Sequence, residues 1–166
     1  MKTSRVVPLL LLLGTSLLRA ENEAGRGVAR VSLINGDVTV QRGDSGDWIA
    51  AGINAPLVTG DKIHTGRASR AEVQFDYANF LRLSENTEVR LADLENQRYQ
   101  LQVSGGVVTY RILRRATADV EINTPAVAVR PLERGTYRIH VLSNGETEIT
   151  VRDDGKAEIA SSQGTE

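Results

Sequence analysis

Cysteine is absent from this chain of 166 residues. The absence excludes disulfide bonds, thiolate metal sites and a cysteine nucleophile, and it excludes a lipoprotein anchor, which is attached through a cysteine. The folded chain must therefore be stable from its core alone. Its length is sufficient for that, since a domain of about 150 residues buries roughly two-thirds of the surface that its unfolded chain exposes.

Aromatic residues are also scarce, at 4% of the chain, with a single tryptophan. So few rings argue against a protein that stacks the bases of single-stranded nucleic acid. Basic residues do not outnumber acidic ones either, since the formal net charge is −1. We therefore predict no nucleic-acid partner. Arginine outnumbers lysine by 17 to 3, a bias that either serves a partner surface or reflects genomic composition.

No apolar run reaches the roughly 20 residues that a membrane-spanning helix needs, but residues 1–20 have the pattern of a secretory signal peptide. Lys2 and Arg5 supply a positive start, residues 6–13 are almost wholly apolar, and Ala20 is the small residue at the end. We predict cleavage there and export to the periplasm, the cell surface or the medium, with no stable membrane span afterwards. An uncleaved anchor is the alternative. Cleavage removes three basic residues and no acid, which leaves a formal charge of −4.

From residue 28 onward, apolar and polar residues alternate with period two, the pattern of half-buried β-strands. No window after the first 20 residues has a convincing helical period. The sequence therefore predicts an all-β fold of short antiparallel strands, stacked either as a twisted β-solenoid-like domain or as a roll or sandwich. The clearest apolar series are Val38 and Val40; Ala71, Val73 and Phe75; Leu81 and Leu83; Val89 and Leu91; Tyr99, Leu101 and Val103; Val120 and Ile122; Tyr137, Ile139 and Val141; and Ile149 and Val151.

Glycine-containing turn signals separate these series. Asn35-Gly36 and Asn144-Gly145 predict tight hairpin turns with positive φ angles, and Gly105-Gly106 predicts another break between strands. Polar segments mark the ends of the domain. We predict a short leader at residues 21–27, the β domain at residues 28–159 and a disordered tail at residues 160–166.

Taken in order, these segments resemble the FecR domain over nearly all of the mature chain. The most specific stretch is residues 57–66, Leu-Val-Thr-Gly-Asp-Lys-Ile-His-Thr-Gly, which is similar to the family's L-x-x-G-D-x-I-x-T-G. Residues 31–40 match the usual opening of a strand, a glycine turn and a second strand. Trp48 stands at a family position that we interpret as structural.

The resemblance implies a fold and a role. The fold is a β-solenoid-like stack of short strands, and the role is that of a periplasmic interaction module. The chain resembles an exported, stand-alone FecR domain protein, without the anti-sigma segment that precedes the domain in the first regulators described in the family.

The chain departs from the family pattern after Phe75. Asp76-Tyr77-Ala78-Asn79 replaces the Asp-Gly-Ser turn that the family often has, and without a glycine there Asn79 is predicted to take the positive φ. Residues 128–132 also differ from the family's plainer run. The two differences indicate a distinct subgroup of envelope proteins.

Motifs for catalysis or metal binding are missing. His64 and His140 lie on alternating strand positions with no paired ligand nearby in sequence, and neither G-x-S-x-G nor H-E-x-x-H occurs. Asp153-Asp154-Gly155 lacks the spacing of a calcium loop and is explained by turn chemistry. We therefore expect a protein that is not an enzyme and has no catalytic residue, no cofactor and no metal site.

Outward-facing arginines are the candidate partner surface. If neighbouring strands align, several guanidinium groups would share one face and bind an acidic partner or a polysaccharide. The simpler alternative is a solvated sheet face on which cross-strand pairs form with Glu72, Glu88, Glu121 and Glu148. The arginines are Arg82, Arg90, Arg130, Arg138 and Arg152.

Two functional classes follow. The first is a monomeric, non-catalytic module in the periplasm or at the cell surface that senses a signal or binds another envelope protein. The second is a carbohydrate- or cell-wall-binding β domain, which would normally present exposed tryptophan and tyrosine platforms. The shortage of aromatic residues favours the first class.

Overall fold

The computed structural model describes residues 27–114, 118–161 and 164–165. The predicted signal peptide and all but the last residue of the predicted leader lie outside the described residues. All regular structure in the described part is β-structure, which confirms the predicted all-β class. Within that part, no helix is long and apolar enough to cross a lipid bilayer.

Fifteen strands are described. In chain order they are β1 (Ala29–Asn35), β2 (Val38–Gln41), β3 (Trp48–Ala50), β4 (Pro56–Leu57), β5 (Lys62–Thr65), β6 (Arg70–Gln74), β7 (Asn79–Leu83), β8 (Thr87–Glu95), β9 (Arg98–Ile112), β10 (Asp119–Asn123), β11 (Val127–Pro131), β12 (Gly135–Val141), β13 (Thr147–Arg152), β14 (Ala157–Ser161) and β15 (Gly164–Thr165).

The strands form two sheet regions that share β9. Sheet A has the order β15-β14-β11-β10-β9-β8-β5-β2-β3, and sheet B has the order β4-β1-β6-β7-β9-β12-β13. Neighbouring strands are antiparallel except β9 and β10, which are parallel. The curled antiparallel sheet corresponds to the roll or sandwich arrangement, one of the two that the sequence left open.

Strand β9 changes sheets at Gly105 and Gly106. Its first half pairs with β8 and β10, its second half with β7 and β12, and a register shift lies beside Gly105. Gly106 has φ 88°, and a Cβ there would lie 2.6 Å from the carbonyl oxygen of Asn86. The prediction of a break between strands at Gly105-Gly106 was therefore wrong, because the two glycines form a bulge that bends one continuous strand.

One hydrophobic core lies between the inward faces of the two sheets. A row of inward residues crosses sheet B from Val31 through Val73, Leu81 and Tyr110 to Tyr137, and each has an exposed fraction of 0%. Residues of sheet A such as Ile63, Leu101 and Ile122 belong to the same cluster. The alternation in the sequence predicted these inward positions correctly.

The turn at residues 76–79 is built differently from the prediction. Asn79 does not have a positive φ and is instead the buried first residue of β7. The Asp76 carboxylate accepts hydrogen bonds from the backbone N–H groups of Ala78 (2.6 Å) and Asn79 (2.8 Å) and from the Asn79 side chain (2.8 Å). The prediction for Asn79 was wrong because an aspartate that caps its own turn removes the need for a left-handed residue.

Two tyrosines extend this turn into the core. The Tyr99 hydroxyl donates to Asp76 Oδ2 (2.9 Å), and the Tyr110 hydroxyl donates to Asn79 Oδ1 (3.0 Å). Burial, followed by the hydrogen bond to Asp76, raises the pKa of Tyr99, and burial raises that of Tyr110 well above its usual value. Both phenols therefore stay neutral donors.

The described part of the C-terminal segment continues the sheet. Strand β14 extends to Ser161, two residues past the predicted end of the domain at Ile159, and β15 pairs with it at Ala160 and Ser161. Small polar residues can form such a pairing because the backbone alone supplies the hydrogen bonds.

Candidate functional site

The buried residues of the motif at 57–66 stabilise the fold. Leu57 and Ile63 are fully buried, and Gly60 has φ 96°. The Asp61 carboxylate, with an exposed fraction of 1%, accepts hydrogen bonds from Arg42 Nη1 (2.8 Å), Gly43 N (2.9 Å) and Val58 N (3.1 Å).

Thr65 completes this framework from the other end of the motif. Its buried hydroxyl donates to the Ser84 carbonyl and accepts from Thr87 N (3.2 Å). The buried polar groups of the motif, Asp61 and Thr65, are thus used in holding loops to strands. A binding function must be sought on the outer faces of the sheets, to which Lys62 and His64 of the motif also belong.

The five predicted arginines divide between those two outer faces. Arg90 on β8 and Arg130 on β11 belong to sheet A, whereas Arg82 on β7, Arg138 on β12 and Arg152 on β13 belong to sheet B. Because the inner faces share one core, the two sets lie on different sides of it. The structure does not bring all five together.

On sheet A, Arg130 is paired. Its Nη2 and Nε lie 2.7 and 3.0 Å from Glu121 Oε2 on the neighbouring strand. The hydrogen bond from the Asn123 side chain, and then that from Arg130, lower the pKa of Glu121. Arg90 makes only a long contact of 3.5 Å with Gln102 Oε1. At Arg130, the structure therefore has the cross-strand pair with Glu121 that the sequence offered as the simpler alternative.

On sheet B, only one of the three arginines is paired with a carboxylate of the described residues. Arg82 on β7 lies directly opposite Glu72 on β6, and its Nε is 2.6 Å from Glu72 Oε2. Arg138 faces Thr109 on one side and Thr150 on the other. Threonine cannot neutralise a guanidinium group, so Arg138 keeps its hydrogen-bonding capacity.

Arg111 was missed by the sequence analysis and completes a cluster on sheet B. It lies on β9 opposite Thr136, and Thr136 lies opposite Arg152. Arg138 is the diagonal neighbour of both arginines, a relation that places side chains about 7–8 Å apart. None of the three has an ion pair with a residue that the structure describes. We call Arg111, Arg138 and Arg152 the arginine patch.

The signal for Arg111 was present in the sequence. Val108, Tyr110 and Ile112 continue the inward alternation, which places Arg111 outward. Gly105-Gly106 was interpreted as a turn, and the arginine that follows Tyr110 was not counted among the outward-facing ones.

The arginine patch ends in a shallow groove. The groove has a volume of about 320 Å³, and Arg111, Arg134, Thr136 and Asp153 are among the residues that line it. Thr136 Oγ1 donates to Asp153 Oδ2 (2.7 Å), so this carboxylate is held by a hydroxyl. The patch is thus a flat basic surface with one polar groove at its edge.

Trp48 is a second candidate group, on the outer face of sheet A. Its exposed fraction is 47%, so it does not pack in the core. The three-residue strand β3 lies at the edge of sheet A, where no second layer covers its outward side chain. The indole makes an edge contact with His64, with ring centroids 6.4 Å apart.

Trp48 borders a polar groove of about 510 Å³ through its cross-strand partner Gln41. The groove runs over β2, β5, β8 and β9. Its lining residues are Gln41, Arg42, Gly43, Gly46, Gly60, Lys62, Glu88, Arg90, Gln102 and Ser104.

The histidines do not form a metal site with other described residues. His140 Nδ1 lies 3.2 Å from Glu148 Oε2 across the β12–β13 pair, and His64 contacts Trp48. In the part of the chain that the structure describes, no three His, Asp or Glu side chains are grouped so that they could hold a metal ion.

A family model described as FecR protein matches residues 61–158. No curated protein and no solved structure was found to match the chain. The matched span contains the arginine patch and all five predicted arginines but does not contain Trp48.

Proposed function

The chain belongs to the FecR family, whose model matches more than half of its residues, and we propose that it is an exported, non-catalytic interaction module of the bacterial envelope. The FecR domain is a non-enzymatic, regulatory family, and membership supports a signal-sensing module in general. The proposal adds that the module acts by binding another envelope protein through the arginine patch.

The observation that carries the proposal is the lack of ion pairs within the patch, where the adjacent carboxylate of Asp153 is held by the Thr136 hydroxyl. Arg111, Arg138 and Arg152 alternate with threonines on a rigid sheet, and no described carboxylate forms an ion pair with any of them. A guanidinium group binds carboxylates through two parallel hydrogen bonds, so three of them in one plane suit an acidic protein surface. Because the strands hold the backbone in place, little ordering is needed on binding.

Export is the second part of the proposal, and it depends on the pattern of residues 1–20 alone. Expression of the full chain in a Gram-negative host, followed by mass spectrometry of the periplasmic fraction, would test it. We expect a protein whose first residue is Glu21. Full-length protein retained in the membrane fraction would contradict export in the cleaved form.

The interaction is tested with purified residues 21–166 as bait in an envelope extract, followed by affinity measurement with the captured partner. The patch variant carries Arg111→Ser, Arg138→Ser and Arg152→Ser. The matched control carries Arg82→Ser and Arg130→Ser, two arginines that are already paired. We expect the patch variant to weaken binding at least tenfold and to reduce its salt dependence, while the control stays within about threefold.

A thermal melt accompanies each variant. If the patch variant melts like the wild type and still binds the partner with unchanged affinity, the patch is not the contact surface. If both variants weaken binding equally, the partner responds to overall charge and not to the patch.

A further inference from the structure

The outer face of sheet A has an aromatic platform whose orientation is set by the fold. Trp48 lies on β3 and His64 on β5, with β2 between them. Strands two apart are separated by about 9–10 Å, yet the ring centroids are only 6.4 Å apart and the planes are at 85°. The two rings therefore lean toward each other above β2, and nearly half of the tryptophan remains exposed.

Beside this platform, several polar side chains of the groove are incompletely satisfied by one another, although Gln41 Nε2 donates to the Gly46 carbonyl (2.9 Å) and Arg42 Nη1 donates to Asp61 Oδ2 (2.8 Å). Lys62 Nζ is 3.9 Å from Glu88 Oε1, Arg90 Nη1 is 3.5 Å from Gln102 Oε1, and the Ser104 hydroxyl is 3.3 Å from Glu88 Oε1. These distances are at or beyond the limit of a good hydrogen bond. The groups keep donors and acceptors that a ligand with many hydroxyl groups would satisfy.

The platform and the polar groups form one straight row across the sheet. The row consists of Trp48, Gln41, Lys62, Arg90 and Gln102, each directly opposite the next on neighbouring strands. Successive members are about 4.8 Å apart, the spacing of strands in a sheet. That spacing is close to the length of one hexose unit in an extended β-1,4-linked chain.

We infer that this row binds an extended β-1,4-linked oligosaccharide, with Trp48 stacked on a sugar ring and Gln41, Lys62, Arg90 and Gln102 hydrogen-bonded to hydroxyl groups. An aromatic face packs against the C–H groups of a sugar, and amide, guanidinium and ammonium groups supply the donors that vicinal hydroxyls accept. The groove volume is within the range of small-ligand sites. This inference is independent of the arginine patch, which lies on the other sheet.

Two other occupants fit this row less well. An apolar peptide or lipid would leave the charged groups Lys62, Glu88 and Arg90 buried without partners, which is costly. A strongly acidic ligand would meet Glu88 in the middle of the groove. A neutral, hydroxyl-rich chain offers donors to the Glu88 carboxylate and acceptors to Lys62 and Arg90.

The single tryptophan of the chain makes a direct measurement possible, because its fluorescence reports on this site alone. Residues 21–166 are titrated with cellohexaose and with chitohexaose, and maltohexaose serves as the matched control because its α-1,4 links coil the chain. We expect at least one of the β-linked chains to shift the emission to shorter wavelength and to protect Trp48 from acrylamide quenching. Maltohexaose should do neither.

Two variants locate the site by calorimetry with the chain that binds. Trp48→Ala and Gln102→Ala, at opposite ends of the row, should each weaken binding at least tenfold, whereas Arg138→Ser on sheet B should leave it unchanged. Thermal melts show whether each variant is folded, and Gln102, which is exposed on its strand, provides a test that does not alter the edge strand β3. Either of two results would overturn the inference: no response to both β-linked chains at millimolar concentration, or equal binding by folded wild type and both row variants.

Discussion

The outer faces of sheet A and sheet B are built from the same alternating strands and both carry paired and unpaired arginines, but only sheet B groups three unpaired arginines in one patch among the described residues. On sheet A, Arg130 is bonded to Glu121, Arg98 lies 2.7 Å from Asp93, and Lys62 approaches Glu88. On sheet B, threonines lie opposite the arginines of the patch. An outward arginine therefore becomes part of an ion pair or stays available for a partner according to the residue that the strand register places opposite it.

The two faces also differ in their relation to the family. The FecR match extends over the whole arginine patch but begins at Asp61, after the edge strand that carries Trp48. The patch is therefore a feature that can be compared among matched family members. The saccharide site is proposed for this chain alone.

The largest expected effect comes from the core that both faces share. Val73 on β6 and Ile139 on β12 have an exposed fraction of 0%. Val73→Asp or Ile139→Asp places an unpaired carboxylate in that core, at a cost comparable with the whole stability of a small domain. We expect neither variant to show a cooperative thermal transition by circular dichroism. The control is Thr150→Asp, on the exposed side of β13, which should melt like the wild type. A cooperative melt of both core variants near the wild-type temperature would contradict the shared core.

The next effect tests the junction between the sheets. Gly106→Ala must place a side chain at φ 88° against the backbone of Asn86, whereas a Cβ on Gly105 meets nothing within 4 Å. We expect Gly106→Ala to destabilise the domain by about 2–4 kcal/mol. Gly105→Ala should change stability by less than about 0.5 kcal/mol. Denaturant unfolding of the two variants measures the difference, and equal midpoints would show that β9 does not depend on this bulge.

Two glycines in turns that lead from sheet B to sheet A give a smaller contrast. Gly36 and Gly60 have φ 84° and 96°, which confirms the positive φ predicted at Gly36. The hairpin predicted at Asn35-Gly36 was wrong, because β1 and β2 pair with other strands and belong to different sheets. A Cβ on Gly36 would lie 2.9 Å from that of Ser69, whose hydroxyl accepts from Asp37 N (2.8 Å). A Cβ on Gly60 meets only the Cα of Gly43 at 3.4 Å.

We therefore expect Gly36→Val to cost about 2–3 kcal/mol and Gly60→Val about 1–2 kcal/mol. Urea unfolding of both variants, under identical conditions, checks the order. If Gly60→Val proves the more damaging, the turn that borders the groove of sheet A is more constrained than its contacts indicate.

Much of the fold was predictable because period-two alternation is a local property of a pleated strand. The inward and outward positions around Val73, Leu101 and Ile139 follow from it directly. The pairing of strands does not, since it depends on contacts distant in sequence. The parallel pairing of β9 with β10 and the bulge at Gly105-Gly106 had no local signal that distinguished them from turns.

In the candidate sites, too, local features were predictable and features that depend on distant contacts were not. Alternation predicted that Arg130 and Arg138 face outward, but not that Glu121 lies opposite one and Thr109 opposite the other. Trp48 was interpreted as structural from its position in the family pattern, and nothing local showed that β3 is an edge strand. Asn79 was assigned a left-handed turn because its capping by Asp76 depends on side-chain geometry.

The smallest expected effect is on the melting temperature. Its dependence on pH should distinguish the paired Arg130 from the unpaired Arg138. In the folded chain the pKa of Glu121 is lowered, first by the Asn123 side chain and then by Arg130. A lowered folded pKa means that the contribution to stability is present above the ordinary glutamate pKa of about 4.3 and is lost as pH falls through the folded value. Arg130→Ser should therefore lower the melting temperature slightly at pH 7, by less than either glycine substitution, and the difference from wild type should shrink as the pH falls through the lowered pKa of Glu121.

Arg138→Ser is the matched substitution on sheet B. Since Arg138 has no carboxylate partner among the described residues, its removal should leave the melting temperature unchanged at both pH values. Differential scanning calorimetry at pH 7 and pH 3 on wild type and the two variants makes the comparison. A pH-dependent loss at Arg138→Ser equal to that at Arg130→Ser would mean that an acidic group also neutralises the arginine patch, and the contrast between the two faces would then fail.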